Sequence, residues 1–497
     1  MARTRHSSFD TDALLARALR GELDEAQAGQ LYRLGPEAVT LALLTLTRRI
    51  AELQPGGGVA LTPATPSGMI PVYAKAAVPA RRGRPGARNG HPGHRRPAPP
   101  RIDRRIEHRA ACCPGCGGPL RRCNRARTRI IEDIPEAIPP LVTEHTLHRD
   151  YCPRCKKDVE PKVPDALPGA ALGHRVLSLA SWCHYGLGVT IDQLIDILQF
   201  HLQTRLSAGG LIDAWKRLAD ALRPWYEQIA TQAKSSAHLH ADETGWRVAG
   251  QTCWLWCFAN GQVCYYMIDR CRGSPVLRKF FGDAFDGILL HDFWSAYESI
   301  DVADRQYCLV HLLRELEKVD QQRAAAPRAG DTRAGDTRGG DAEWQAFAQL
   351  LRRLIRDGIR LRKRPDFTPQ KYRGRITRIG RRLDALIATP CADADATRLL
   401  KRLRRTGDHL FTFLDYPHIP FENNLAERAI RPAVILRKNS QSNRSQRGAL
   451  TQAILMSVYR TLKLRGHDPL QTLENALRIY VQTGNLPPLP PTIDANG

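Results

Sequence analysis

The stretch that decides the fold reads Thr252-Cys-Trp-Leu-Trp-Cys-Phe-Ala-Asn-Gly-Gln-Val-Cys-Tyr-Tyr-Met-Ile-Asp269. Two β-rich segments, 252–259 and 262–269, flank Asn260-Gly261. That pair favours a hairpin turn because both residues tolerate positive φ. Upstream, His238 to Asp242 has the make-up of a short first strand. Downstream, the pattern predicts a helix over Pro275 to Phe281, a strand over Gly287 to His291 and a helical turn near Trp294 to Ser299. A strand over Tyr307 to Val310 then runs into a helix over His311 to Lys318. Three strands, helix, strand, turn, strand and helix make a mixed α+β core.

Around this block lies a chain of 497 residues, enough for about three domains at roughly 150 residues each. Lys and Arg number 74 against 50 Asp and Glu, a net charge of +24, and the pI is near 9.9. Hydrophobic residues make up 42% and charged residues 25%, which excludes a wholly disordered basic tail. Such an excess predicts a polyanionic partner, nucleic acid before an anionic membrane surface. No run of 18 apolar residues exists, so nothing is expected to span a bilayer, and the N-terminus lacks the apolar stretch of a secretory signal. Thirteen cysteines, an odd number in a long chain, argue against a disulfide framework and for a reduced, cytoplasmic setting. Neither a nucleophile elbow nor a Gly-x-x-x-x-Gly-Lys-Ser/Thr loop is present, which sets aside serine hydrolase and nucleotide hydrolase chemistry.

Composition divides the chain further. Residues 1–54 read as helical, with Val39, Leu43, Leu46, Ile50 and Leu53 as a short heptad seam, either for self-association or for packing on its own chain. Residues 55–108 form a Pro/Gly/Arg-rich linker; from Lys75 to Arg109 there are 11 basic and 2 acidic residues, which suits either a phosphate-binding arm or a solvated spacer. Residues 170–232 carry two apolar helix faces (Ile191, Leu194, Ile195, Leu198, then Leu211, Ile212, Trp215, Leu218) around a break at Thr204 to Gly210, with Ser207 as N-cap. That outline is shared by helix-turn-helix DNA readers and ordinary helical hairpins. The core block covers 235–320, and 321–415 follows as a low-complexity loop, Arg328 to Asp341, plus a basic helical insertion. From Arg352 to Arg382 the insertion holds 13 basic and 2 acidic residues. Residues 416–447 supply a last core helix and 448–497 two closing helices around Gly466-His-Asp-Pro469.

Within 109–165, Cys113-Pro-Gly-Cys116 and Cys152-Pro-Arg-Cys155 form two Cys-x-x-Cys knuckles separated by 35 residues. Two intervening residues let both thiolates point inward, and four such thiolates close a tetrahedral shell around one structural zinc. Cys112 and Cys123 lie close enough to substitute. β-rich stretches at Thr128 to Ile131 and Leu141 to His148 suit a ribbon-type module.

Asp242 lies on the expected first strand and Asp292 just after the strand ending at His291. Carboxylates at the ends of adjacent strands can share divalent cations for phosphoryl displacement. For a third acid, Phe421-Glu-Asn-Asn-Leu-Ala-Glu427 offers Glu422 and Glu427; Asn424 three residues before Glu427 also fits a capping box.

From about residue 80 to 484 the sequence resembles the insertion sequence 66 family of transposases, of DDE type. The similarity rests on Gly90-His-Pro-Gly-His94, His240-Ala-Asp-Glu-Thr-Gly-Trp246, Cys308-Leu-Val-His311, Asn423-Asn-Leu-Ala-Glu-Arg-Ala-Ile-Arg-Pro432 with Arg437-Lys-Asn439, and Tyr459-Arg-Thr-Leu-Lys-Leu-Arg-Gly-His-Asp-Pro469. The resemblance implies an RNase H-like mixed-sheet catalytic core interrupted by a helical insertion. A zinc-ribbon-like module and helical DNA-binding segments would precede it. It places the catalytic acids at Asp242, Asp292 and Glu427, holding two magnesium or manganese ions. It implies cleavage at element ends and transfer of the freed 3′-hydroxyl into target DNA, with at least a dimer, and with accessory proteins of the same element as further partners. No membrane partner is expected, and the setting would be cytoplasmic and nucleoid-associated. Arg428, Arg431, Arg437 and Lys438, beside Glu427, are expected phosphate clamps or a solvated basic face, and His311 a DNA contact or a structural helix-start histidine. A nuclease without joining activity and a non-catalytic DNA-binding protein are the alternatives.

Overall fold

The computed structural model describes residues 99–121, 127–135, 138–325 and 336–493 except 365, with scattered positions between 29 and 40. The heptad seam beyond Val39, the Gly90–His94 motif and Cys123 lie outside the described residues. The chain divides into two compact units, Ala76–Tyr307 with Glu422–Gly497, and Met1–Lys75 with Cys308–Phe421.

In the first unit, strands β1 (Asp150–Cys152) and β2 (Lys157–Val159) pair as a small antiparallel hairpin. The stretches Thr128 to Ile131 and Leu141 to His148, expected as strands, have no strand structure. Leu141 and Val142 stand almost fully exposed, so β propensity here meets no partner surface against which to pair.

Helices α1 (His174–Ser181), α2 (Ile191–Asp196) and α3 (Ala208–Lys234) follow. Thr190 caps α2 in a reciprocal box with Gln193, and Ser207 caps α3 by accepting from the Gly210 amide at 3.1 Å. The 27-residue α3 buries Leu211, Trp215, Leu218, Leu222, Trp225 and Ile229 in the same core as the sheet, so the expected helical pair is built into that core.

The sheet contains β3 (His238–Val248), β4 (Gln251–Ala259) and β5 (Cys264–Asp269). Helix α4 (Ser274–Phe281) leads to β6 (Ala284–His291), and a 3-10 turn at Ser295–Ser299 leads to β7 (Asp301–Tyr307). Strand order is β5-β4-β3-β6-β7; β3, β4 and β5 are antiparallel neighbours, whereas β6 runs parallel to β3 and β7 parallel to β6. At the hairpin tip, the Asn260 side chain accepts from the Gln262 and Val263 amides at 2.8 and 2.9 Å. Register breaks on β6 between Phe285 and Ile288, at Gly287, where a Cβ would lie 2.5 Å from the Ser236 carbonyl oxygen. Only glycine admits that approach of backbone to backbone.

One expected strand is displaced. Residues 308–310 do not extend the sheet: β7 lies upstream, and α5 (Leu309–Ala325) begins at once. As the edge strand, β7 is half solvent-facing and rich in Asp, Arg and Gln, so it lacks the apolar run that marks an interior strand.

The second unit is helical: α5, α6 (Asp336–Arg362), α7 (Pro369–Ala388) and α8 (Ala394–Thr406). The last part of the stretch Arg328 to Asp341, expected as a loop, belongs to α6; residues 326–335 are outside the described ones. Buried Glu315 on α5 receives both Arg398 and Arg402 from α8, and Asp320 receives Arg352 and the Trp344 indole.

Back in the first unit, α9 (Asn424–Ser440) is followed by α10 (Gln446–Leu464) and α11 (Pro469–Thr483), the two closing helices. α10 is buried along most of its length beneath β5: the Ser457 hydroxyl accepts from the Tyr266 amide at 2.9 Å, and Thr461 from the Cys264 amide at 3.1 Å.

Near α1, the ring of His184 stacks on Trp215 at 4.9 Å and its Nδ1 donates to the Val189 carbonyl at 2.7 Å. Burial lowers its pKa below the ordinary 6.5, so the folded state keeps the ring neutral while the unfolded chain protonates it. The associated stability is therefore full above pH 6.5 and is lost as pH falls toward the lower folded pKa. His184→Asn should show a smaller drop in thermal midpoint than wild type between pH 7.5 and pH 5.5.

Candidate active site

Strand pairing brings the first two acids to one level. The last paired positions of parallel β3 and β6 are His240 and Leu290, and Asp242 and Asp292 each lie two residues beyond them. Neighbouring strands are about 4.8 Å apart, so the two carboxylates share one end of the sheet. Glu427 comes from the first turn of α9. Its capping-box role is absent: the N-cap is Asn423, not Asn424, and it makes no side-chain cap bond.

What holds α9, which carries Glu427 in its first turn, against β3 is a set of ties between the two elements. The Asn423 side chain, 1% exposed, donates through Nδ2 to the Ala241 carbonyl at 2.8 Å. Its Oδ1 accepts from His240 Nδ1 at 2.9 Å. Burial lowers the His240 pKa to about 4, so the ring is neutral and carries its proton on Nδ1. Further along α9, Arg437 donates to the Thr244 hydroxyl at 3.1 Å and to the Gly245 carbonyl. After the helix, Asn443 accepts from the Trp246 indole at 2.7 Å and bonds by its backbone to Arg247 and Ala249. The helix is thereby fixed along the strand that carries Asp242.

Burial and the surrounding carboxylates act on Asp242 in the same direction. The Asp242 carboxyl is pushed well above its ordinary 3.8, first by burial, then by the carboxylates of Glu243 and Asp292, with Glu427 adding in the same direction. Its main counterweight is the Glu243 amide, which donates to Asp242 Oδ1 at 3.0 Å. Concentrated negative charge of this kind suits a hard divalent cation with oxygen ligands. The carboxylates do not form a closed cage: among the described residues, no group of three or more His, Cys, Asp or Glu is close enough to hold a metal ion.

Of the expected basic contacts, Arg428, Arg431 and Lys438 are exposed on α9, whereas Arg437 is turned inward onto β3. Cys308 and His311 lie at the start of α5 in the helical unit, with the His311 amide donating to the Cys308 carbonyl at 3.2 Å. Each cysteine knuckle is folded locally. The Cys155 amide points at the Cys152 sulfur at 3.4 Å, and Gly117, at φ +72°, closes the first knuckle by donating to the Cys113 carbonyl at 2.8 Å. The Gly115 amide lowers the pKa of Cys113, and the Cys155 amide lowers that of Cys152, so each knuckle favours a thiolate. The two pairs do not converge into one four-thiolate cluster among the described residues.

Residues that sequence reasoning did not single out surround the acids. Glu243, 2% exposed, receives Arg272 Nε and Nη2 at 3.1 and 3.0 Å and the Tyr297 hydroxyl at 2.5 Å. Glu243, His240 and Asn423 were visible inside the matched motifs, but nothing in their identity disclosed which partner each takes.

The sequence profile described as transposase IS66 family matches residues 169–451, more than half of the chain and including all three acids. The chain belongs to the IS66 transposase family. It is similar to the uncharacterized protein y4hP of Sinorhizobium fredii, 22% identical over 412 residues, 77% of this chain and 73% of that protein. It is likewise similar to the uncharacterized protein y4jD of the same organism, 23% identical over 429 residues and 77% of each chain. Among the described residues no helix is long and apolar enough to cross a membrane.

Proposed function

We propose that this transposase cuts and rejoins DNA at an RNase H-like centre formed by Asp242, Asp292 and Glu427. The observation that supports the reading is that the Asp242 carboxyl is pushed well above its ordinary pKa, first by burial, then by the carboxylates of Glu243 and Asp292, with Glu427 adding in the same direction. These acids stand on β3, at the end of β6 and in the first turn of α9, elements that the fold brings together. Strand order β5-β4-β3-β6-β7, with β3 central and first in the chain among them, supports the RNase H-like assignment.

These acids would hold magnesium or manganese, which activates the attacking oxygen and stabilises the leaving one in an in-line displacement. The chain's own part is positioning and charge. The ties from Asn423, Arg437 and Asn443 hold α9, with Glu427 in its first turn, along the strand that carries Asp242, and neutral His240 adds no competing positive charge beside the acids. Arg428, Arg431 and Lys438 present exposed cations for DNA phosphates along the same helix. The reaction runs in two steps at one centre: water cleaves a phosphodiester at the element end, and the freed 3′-hydroxyl attacks target DNA. The thiols of Cys113 and Cys152 are deprotonation-prone, the donor type zinc selects. A single zinc shared by Cys113, Cys116, Cys152 and Cys155 would require the two knuckles, which do not form one cluster among the described residues, to come together. Synapsis of two ends calls for at least two subunits.

The test uses full-length protein, magnesium, an intact element end and a plasmid target. Joined product is expected; hydrolysed ends without joined product would favour a nuclease. Replacing Arg428, Arg431 or Lys438 singly by Ala should weaken DNA binding without regard to sequence and lower the salt slope by about 1 each, read by anisotropy across a salt series.

A further inference from the structure

Glu243 stands next to Asp242 in the same motif and could be taken for a fourth metal-binding acid. Its surroundings say otherwise. Successive side chains on a strand point to opposite faces, so Glu243 leaves β3 on the side away from Asp242. Both of its oxygens are engaged: Oε1 by Arg272 Nε and Nη2 at 3.1 and 3.0 Å, Oε2 by the Tyr297 hydroxyl at 2.5 Å. The Arg272 guanidinium is stacked between Trp254 and Trp294, its carbon 4.4 and 4.2 Å from the two ring centroids.

This cluster closes on the segment that carries Asp292. The Trp294 amide donates to Asp292 Oδ1 at 2.9 Å, while its indole N–H donates to the Arg272 carbonyl at 3.4 Å. Three residues on, Tyr297 is fully buried and returns to Glu243. The segment from Asp292 to Tyr297 is therefore held at Trp294 and at Tyr297 by one ion pair, Glu243–Arg272. A planar guanidinium makes the two bonds and the double stacking at once; an ammonium, a compact point charge with no planar face, cannot combine them in the same geometry.

We propose that Glu243 and Arg272 are positioning residues that set the Asp292 carboxylate for a divalent cation, and that Glu243 is not itself a ligand. This rests on the reading of Asp242, Asp292 and Glu427 as a metal-dependent centre. Residues that orient a metal ligand typically change affinity by roughly 10–100-fold when altered.

The test is Mn2+ binding to the full-length protein, followed by the electron paramagnetic resonance of free ion. Wild type, Asp242→Asn, Asp292→Asn, Arg272→Lys, Arg272→Ala and Glu243→Gln are compared, with cooperative thermal unfolding as the fold check. Arg272→Lys should weaken Mn2+ binding by roughly 10–100-fold with unfolding still cooperative; it keeps the charge and most of the volume, so it serves even where Arg272→Ala does not fold. Weaker binding in Glu243→Gln with wild-type binding in Arg272→Lys would make Glu243 a ligand and overturn the proposal. Wild-type binding in both would overturn it equally. A wild type that binds no Mn2+, or that is indifferent to Asp242→Asn and Asp292→Asn, would overturn the metal reading itself and the proposal with it.

Discussion

Asp242→Asn should abolish DNA cleavage, by at least about a thousandfold or about 4 kcal/mol in the barrier, while leaving the fold intact or more stable in the absence of metal. The two effects share one cause. In the folded chain the Asp242 carboxyl is desolvated and repelled by Glu243, Asp292 and Glu427, which raises its pKa. Between the ordinary 3.8 and that raised value the folded state binds a proton that the unfolded state has released. The metal-free protein therefore loses stability as pH rises through this window. Asparagine keeps the shape and removes the charge, so this part of the pH dependence should vanish from thermal unfolding curves, and DNA affinity should be kept. A simple structural role for Asp242 predicts the reverse, a destabilised variant with cleavage reduced only in proportion to the folded fraction.

Asn423→Ala should produce the second largest loss. One amide group satisfies the His240 ring and the Ala241 carbonyl, both in β3 just before Asp242, from the N-cap of the helix that bears Glu427. Removing it strands two buried polar groups, at about 1–3 kcal/mol each. It also frees the start of α9 to shift against the strand, and a displacement of about 1 Å can lower a rate on the order of a hundredfold. Asn423→Ala should lower the denaturation midpoint and reduce cleavage further than the folded fraction accounts for. Cleavage reduced only in that proportion would make Asn423 a stabilising residue alone.

Much of the core was legible because its elements carry local signals. The aromatic segments around Asn260-Gly261, the Pro-led helix α4 and α3 behind its Ser207 cap announce themselves through turn or cap chemistry, and α2 through its apolar spacing. β7 did not, since an edge strand of Asp, Arg and Gln has no apolar run to show. The stretch Leu141 to His148 erred the other way: its β propensity was real, but among the described residues no neighbour strand uses it. At the site, Asp242, Asp292 and Glu427 came from the motif resemblance, because an isolated carboxylate carries no mark of its role. Arg437 was expected to face phosphate, and its inward turn onto Thr244 and Gly245 depends on the packing of α9 along β3, which spacing does not encode. Arg272 was missed for the same reason: its partner Glu243 is 29 positions away and its two Trp neighbours lie on separate elements.

The central claim is that Asp242, Asp292 and Glu427 act as one metal-dependent centre. The most direct measurement is strand cleavage of DNA bearing the element's own ends by full-length protein with and without Mg2+. Asp242→Asn, Asp292→Asn, Glu427→Gln and Glu422→Gln are assayed in parallel. Mg2+-dependent nicks with 3′-hydroxyl ends in wild type and Glu422→Gln, lost in the other three, are the predicted result. Cleavage that persists in Glu427→Gln, or disappears in Glu422→Gln instead, would contradict it.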